Sequence, residues 1–187
     1  VAENTHRRPA WIHFGAGNIF RAFQANLVQN LLNAGTLDTG LIAAEGYDYE
    51  IIEKGNRPHD NLSILATLKA DETVEKTVVG SVLESLVLDS LNEKEYTRLK
   101  EIFAAPSLQM ASFTITEKGY AVTDAKGNVL PAISADFEKG PQAPDSYLGK
   151  VASLLYHRYL NGRLPLAMVS MDNCSHNGDK LYAAIHA

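Results

Sequence analysis

The chain has little of what staples, coats or anchors a protein. Of its 187 residues one is cysteine, Cys174, so no intrachain disulfide forms and no multi-cysteine zinc site can be built. It has no basic excess: 17 Lys+Arg stand against 22 Asp+Glu, a formal net charge of −5. That balance excludes a protein that coats nucleic acid through a basic face. No apolar run approaches the ~18 residues a membrane span requires. Arg7-Arg8 is followed only by the short run Ala10 to Phe14 before Gly15, too little for a secretory apolar segment. No repeat or low-complexity tract is present, and Gly and Pro are scattered. What is left is a soluble globular domain, expected to be cytoplasmic, with small molecules rather than nucleic acid or membrane as partners. A chain of this length buries roughly 70% of its unfolded surface, so a core forms without staples.

Apolar spacing sets the order of elements. Ala10 to Phe14 reads as a buried strand that stops at Gly15. Ile19, Phe20, Phe23, Leu27, Val28, Leu31 and Leu32 then recur at helical spacing, which predicts a helix over Asn18 to Asn33 with Gly35 just beyond it. Leu41 to Ala44 is a second short strand ending at Glu45. The runs Leu62–Ala70 and Thr73–Leu88 are β-rich and separated by Asp71-Glu72, which predicts an antiparallel hairpin. Asn92–Ala105 reads as a helix closed by Pro106, and Gln109–Thr116 as a strand. A small hairpin follows around Lys126-Gly127-Asn128, then a helix over Ser146–Leu160, a strand over Pro165–Met171 and a helix from Asn177 onward. Strand, glycine turn, helix and strand at the start make a βαβ unit and hence a parallel sheet. The expected fold is α/β, a Rossmann-like, doubly wound, mostly parallel sheet with a β-hairpin insertion.

The sharpest local signal is Gly15-Ala16-Gly17-Asn18-Ile19-Phe20 between that strand and helix. In a dinucleotide fold the first glycine makes the tight turn. The second lets the backbone approach a pyrophosphate seated on the helix N-terminus. Phe20 stands where a third glycine would permit close packing, so the helix either sits further out or turns Phe20 away. The plain alternative is a tight turn with no ligand. An acidic residue ending the second strand would bind the adenosine ribose. Glu45 stands there and Asp48 lies three residues on, which favours NAD and repels the 2′-phosphate of NADP. Their alternative is a solvated acidic loop. Arg21 in the first helical turn is within reach of a phosphate oxygen, or is a surface arginine.

Three stretches resemble the mannitol dehydrogenase family, the polyol-specific long-chain dehydrogenases that include fructuronate and tagaturonate reductases. His13-Phe14-Gly15-Ala16-Gly17-Asn18-Ile19-Phe20-Arg21-Ala22-Phe23-Gln24 is similar to the family's opening, where the third glycine is also commonly absent. Thr114-Ile115-Thr116-Glu117-Lys118-Gly119-Tyr120 resembles its Thr-x-Thr-Glu-x-Gly-Tyr segment. Ser170 to Gly178 resembles its Ser-Cys-Asp-Asn-x-x-x-Asn-Gly segment, with Met171 where cysteine is frequent. The resemblance implies zinc-independent, NAD(P)-dependent oxidation of a secondary alcohol in an open-chain polyol or aldonate, with NAD the expected cofactor. It implies that residues 1–187 form the cofactor domain, with Asn173 polarising the substrate oxygen. An amide N–H suits that task because proton transfer does not consume it. The alternative for Asn173 is a cap before the last helix. Thr116 and Glu117 are cofactor-side candidates, since ligands bind outside the carboxyl ends of strands in open α/β sheets. Together with Gly15, Gly17, Asn18, Ile19, Phe20, Arg21, Glu45 and Asp48 they make the expected cofactor set. Cys174 and His176 alone make a weak metal pair, and no metal is expected. His6 and His13 receive no role.

One expected part is missing. The family's general base is a lysine in a Lys-x4-Asn-x2-His motif on a helical second domain, and no lysine here is followed by Asn at five and His at eight. The chain is therefore expected to be an N-terminal portion that binds cofactor and catalyses little alone. Two further readings stay open: a dinucleotide-sensing regulatory module, and an interaction domain that works through its hairpin.

Overall fold

The computed structural model describes residues 1–187. A short helix α1 (Ala2–Arg7) precedes strand β1 (Trp11–Phe14). The glycine turn leads into a helical segment that starts with a wide turn, Phe20–Gln24, and continues as α2 (Ala25–Asn33). Strand β2 (Leu41–Glu45) is followed by short helical turns over Ile51–Asn56 and Arg57–His59. Then come β3 (Ser63–Leu68), β4 (Val74–Val79), β5 (Val82–Val87) and α3 (Glu93–Ala104). The second half runs β6 (Met110–Phe113), α4 (Thr116–Gly119), α5 (Pro131–Lys139), α6 (Tyr147–Leu160), β7 (Ala167–Ser170) and α7 (Asn177–Ile185). No helix is long and apolar enough to cross a membrane.

The main sheet has the order β5-β2-β1-β6-β7, and every pairing in it is parallel. Side chains alternate across it, as strand geometry requires. Ile12, Phe14, Ile42, Ala44, Ala111 and Phe113 face a core built with α3 and α6. Leu41, Ala43 and Val82 face the other side, with Phe20, Ala25 and Val28 of the first long helical segment. The sheet is thus covered on both faces, which is what its nearly continuous apolar strands require.

The expected hairpin is present: β3 and β4 pair antiparallel from Ser63↔Val79 to Leu68↔Val74. Its turn owes its shape to Asp71, whose carboxylate accepts from the Thr73 N–H at 3.1 Å and its hydroxyl at 2.6 Å, while Glu72 takes a left-handed backbone. The β-rich run to Leu88 is not one strand. It breaks at Gly80-Ser81, where the Ser81 carbonyl accepts from Leu41 N–H at 2.8 Å and the chain leaves the hairpin to join the main sheet beside β2. Helices α1 and α5 were not expected. Ala2–Arg7 is too short for periodicity to register, and α5 begins with Pro131, which fits a first helical turn but reads in sequence as a breaker.

Candidate dinucleotide-binding site

The chain leaves β1 for β2 on one side and returns to β6 on the other, so the winding direction reverses between β1 and β6. Ligands of open α/β sheets bind at such a switch point, outside the carboxyl ends of the strands. The glycine turn sits there, and its two glycines differ. Gly15 has φ +104°, and a Cβ on it would collide with the Thr114 carbonyl after β6. It is required by the fold. Gly17 has no such φ, and a Cβ on it would meet nothing within 4 Å. The protein itself does not need that residue to be glycine. The helix start after it has no side-chain cap, so its first-turn N–H groups are left to solvent or a ligand. Asn18 and Ile19 are exposed at this start, and Arg21 donates to the Asn18 amide oxygen at 2.7 Å.

Phe20 is not turned away. Its ring lies flat on the imidazole of His13 in β1, with centroids 4.2 Å apart, and fills the space between helix and strand. His13 is fully buried and belongs to a polar line running to the turn. Trp11 Nε1 donates to Ser112 Oγ at 2.6 Å, Ser112 Oγ meets His13 Nδ1 at 2.7 Å, and His13 Nε2 meets Thr114 Oγ1 at 2.9 Å. Thr114 Oγ1 in turn donates to the Gly15 carbonyl at 3.4 Å. The Thr114 hydroxyl gives its one proton to the Gly15 carbonyl, so His13 Nε2–H donates to Thr114 Oγ1, and Nδ1 of the neutral ring accepts from the Ser112 hydroxyl. Burial lowers the His13 pKa to about 3, and the ring stays neutral.

Glu45 ends β2 and is 5% exposed. One carboxylate oxygen accepts from Ala16 N–H at 2.8 Å. The other accepts from the N–H groups of Gly46, Tyr47 and Asp48 at 3.0, 2.8 and 3.3 Å. The side chain therefore ties the glycine turn to the loop after β2. Of the acidic pair, Asp48 is the exposed member.

A second carboxylate acts across the other half. Asp172, just past β7, accepts from Ile115 and Thr116 N–H at 3.0 Å each and from the Tyr120 hydroxyl at 2.5 Å. Burial and the hydrogen bond to Asp172 push the Tyr120 phenol up, so it remains a donor. Thr116 is held at φ +64°, a left-handed conformation that a β-branched residue adopts only under constraint. Glu117 is exposed and paired with Lys180 of α7. Asn177 donates to the carbonyls of Asp172 at 2.8 Å and Ser170 at 3.3 Å, closing the 170–177 loop. Asn173 stands exposed in that loop, makes no side-chain hydrogen bond and does not cap α7, whose start is at His176. No group of three or more His, Cys, Asp or Glu is placed to hold a metal.

The arrangement gathers Gly15, Gly17, Asn18, Ile19, Phe20 and Arg21 at one turn, joins Glu45 to it, and sets Thr116 and Asn173 on loops tied together through Asp172. Sequence reading did not assign roles to His13, Asp172, Tyr120 or Asn177. Their partners are 50 to 101 residues away for the first three, so only Asn177, five and seven residues from its acceptors, carried a local signal.

Comparison with known proteins matches this geometry. The family model described as the mannitol dehydrogenase Rossmann domain covers residues 9–187. A D-mannonate oxidoreductase of Thermotoga maritima is 50% identical over 185 residues, 99% of this chain and 34% of that protein. A mannitol 2-dehydrogenase of Cereibacter sphaeroides is 29% identical, over 91% of this chain and 35% of its own length. A solved structure of Pseudomonas fluorescens mannitol 2-dehydrogenase, a ternary complex with NAD and D-mannitol, superposes with a TM-score of 0.81 at 28% identity, covering 99% of this chain and 37% of that one. The chain spans about a third of the length of these relatives. With its sheet order, its uncapped glycine turn and this match over nearly all its residues, the chain belongs to the mannitol dehydrogenase family, of which it carries the Rossmann domain.

Proposed function

We propose that the chain is the NAD(H)-binding domain of a zinc-independent oxidoreductase acting on an open-chain polyol or aldonate. The carrying observation is Gly17: no part of the protein needs its missing side chain, and a pyrophosphate on the helix start does. Bound there, NAD supplies a hydride acceptor at its nicotinamide ring. The Gly17 backbone and first-turn N–H groups hold the pyrophosphate, and Arg21 swings from Asn18 to a phosphate oxygen. Gly15 and Phe20 shape the turn. Glu45 holds the loop, and exposed Asp48 accepts from the adenosine ribose hydroxyls and disfavours the extra phosphate of NADP. Thr116 and Glu117 border the crevice on the β6 side.

Asn173, unpartnered and exposed beside the clamp of Asp172, donates its amide N–H to the reacting oxygen of the substrate, a bond that strengthens as negative charge develops there. The 50% identity to a protein named D-mannonate oxidoreductase supports a sugar-acid substrate, with a mannitol-type polyol second. The general base then belongs to residues beyond this domain.

The reading is tested by thermal denaturation with NADH at ~100 times its dissociation constant, where binding to the folded state alone adds ~2.7 kcal/mol. Gly17→Val removes that gain and leaves the ligand-free domain as stable as before. A folded Gly17→Val protein that binds NADH normally sinks the assignment. In the full-length enzyme, Asn173→Ala lowers turnover by roughly 10²–10³ with NADH affinity kept.

A further inference from the structure

The loop after β2 holds an arrangement that ribose and pyrophosphate contacts do not use. Tyr47 is 62% exposed, yet it is firmly held. The Glu45 carboxylate fixes the backbone beneath it through the N–H groups of residues 46 to 48. One face of its ring is stacked on Tyr147, with centroids 4.7 Å apart and planes 15° from parallel. Tyr147 is the first residue of α6, only 8% exposed, and its hydroxyl has no hydrogen-bond partner. Burial, with the Glu45 and Asp172 carboxylates adding to it, pushes that phenol up, so it stays protonated. Gly46 makes room for this ring, since a Cβ there would lie 2.5 Å from Tyr147 Cε2. Three residues thus serve to brace one exposed aromatic face. Burial does not explain such a brace, because the opposite face of the ring remains in water. A flat ligand does, since a rigid ring loses little freedom when another ring settles on it.

The geometry points to Tyr47 as the stacking platform for the adenine ring of the dinucleotide, with Tyr147 as its buried support. This rests on the cofactor reading above. Asp48 follows Tyr47 directly and takes the adenosine ribose, and adenine is one glycosidic bond from that ribose. Aromatic stacking asks only for a π-face, which explains why the platform needs no hydrogen-bonding pattern around it. Burial and the nearby Glu45 push the Tyr47 phenol up, so the ring it offers is neutral.

AMP isolates the adenosine end of the ligand. In an NMR titration of the chain, the adenine H2 and H8 signals of AMP move upfield under the ring current of Tyr47. Tyr47→Ala weakens AMP and NADH binding by about ten- to a hundredfold and removes the upfield shift. Tyr47→Phe and Tyr47→Trp retain both. A folded Tyr47→Ala chain with unchanged AMP affinity, or with the adenine shift intact, overturns the platform while NADH binding still upholds the cofactor reading. Failure of the unaltered chain to bind NADH at all overturns both.

Discussion

Two carboxylates close the two halves of the crevice, and they do it differently. Glu45 at the end of β2 is buried, and its acceptor sites are taken by four backbone N–H groups. Asp172 past β7 is half-exposed, takes two backbone N–H groups, and shares its remaining capacity with a phenol. Both reach across to a neighbouring loop, Glu45 to the glycine turn and Asp172 to the turn after β6. Each also leaves an exposed polar residue close behind it in sequence, Asp48 in one case and Asn173 in the other. The buried clamp makes one rigid unit of turn and loop. The second clamp holds a strained Thr116 through a carboxylate that is itself partly exposed. The contrast separates a clamp that is buried and fully occupied by backbone donors from one that is partly exposed and shared with a side chain.

The largest expected effect breaks the first clamp. Glu45→Ala leaves the buried Ala16 N–H and its neighbours without an acceptor and costs about 4 kcal/mol, since each stranded donor costs ~1–3 kcal/mol. Urea unfolding measures it, and a loss below about 1 kcal/mol would show that the turn is held by something else. Acid sharpens the same contrast. The His13 pKa is about 3 in the folded chain, against an ordinary value of 6.5. Its contribution is complete above pH 6.5 and is lost as pH falls, because the unfolded chain takes up the proton first. Between pH 6.5 and pH 4 this amounts to about 3 kcal/mol, at 1.36 kcal/mol per unit. His13→Gln should flatten the pH dependence of stability by that amount. An unchanged slope contradicts a neutral buried ring.

Asp172→Ala should cost less than Glu45→Ala, about 2 kcal/mol, because it frees three donors rather than four and the exposed Thr116 N–H among them finds water. Equal losses would erase the distinction between the clamps. The smallest effect is at Asn173. Exposed and without a partner, its replacement by Ala should change stability by no more than about 0.5 kcal/mol. A loss of about 1 kcal/mol, the usual worth of a helix cap, would restore the structural reading of that residue.

How far the sequence reached follows from the range of each interaction. The helix over Asn18 to Asn33 and the β3–β4 hairpin were legible because their signals, apolar spacing and a short polar break, are local. The division at Gly80-Ser81 was not, since both sides of it are equally β-rich and only the pairing with Leu41 separates them. The same holds at the site. Gly15 and Gly17 look alike in the sequence, and only the Thr114 carbonyl beside one of them tells a glycine the fold requires from one it does not. Glu45 was legible as an acid at the right strand end. Its hydrogen bond to Ala16, 29 residues back, was not.

The line from Trp11 to Gly15 has an optical consequence. Trp11 is the chain's one tryptophan, and its indole is linked through Ser112, His13 and Thr114 to the carbonyl of the turn. Its fluorescence is therefore a built-in gauge of that turn, free of signal from any other indole. A shift in emission on adding nucleotide reads out motion transmitted along three side chains, and quenching by energy transfer to NADH reads out proximity, both without a label.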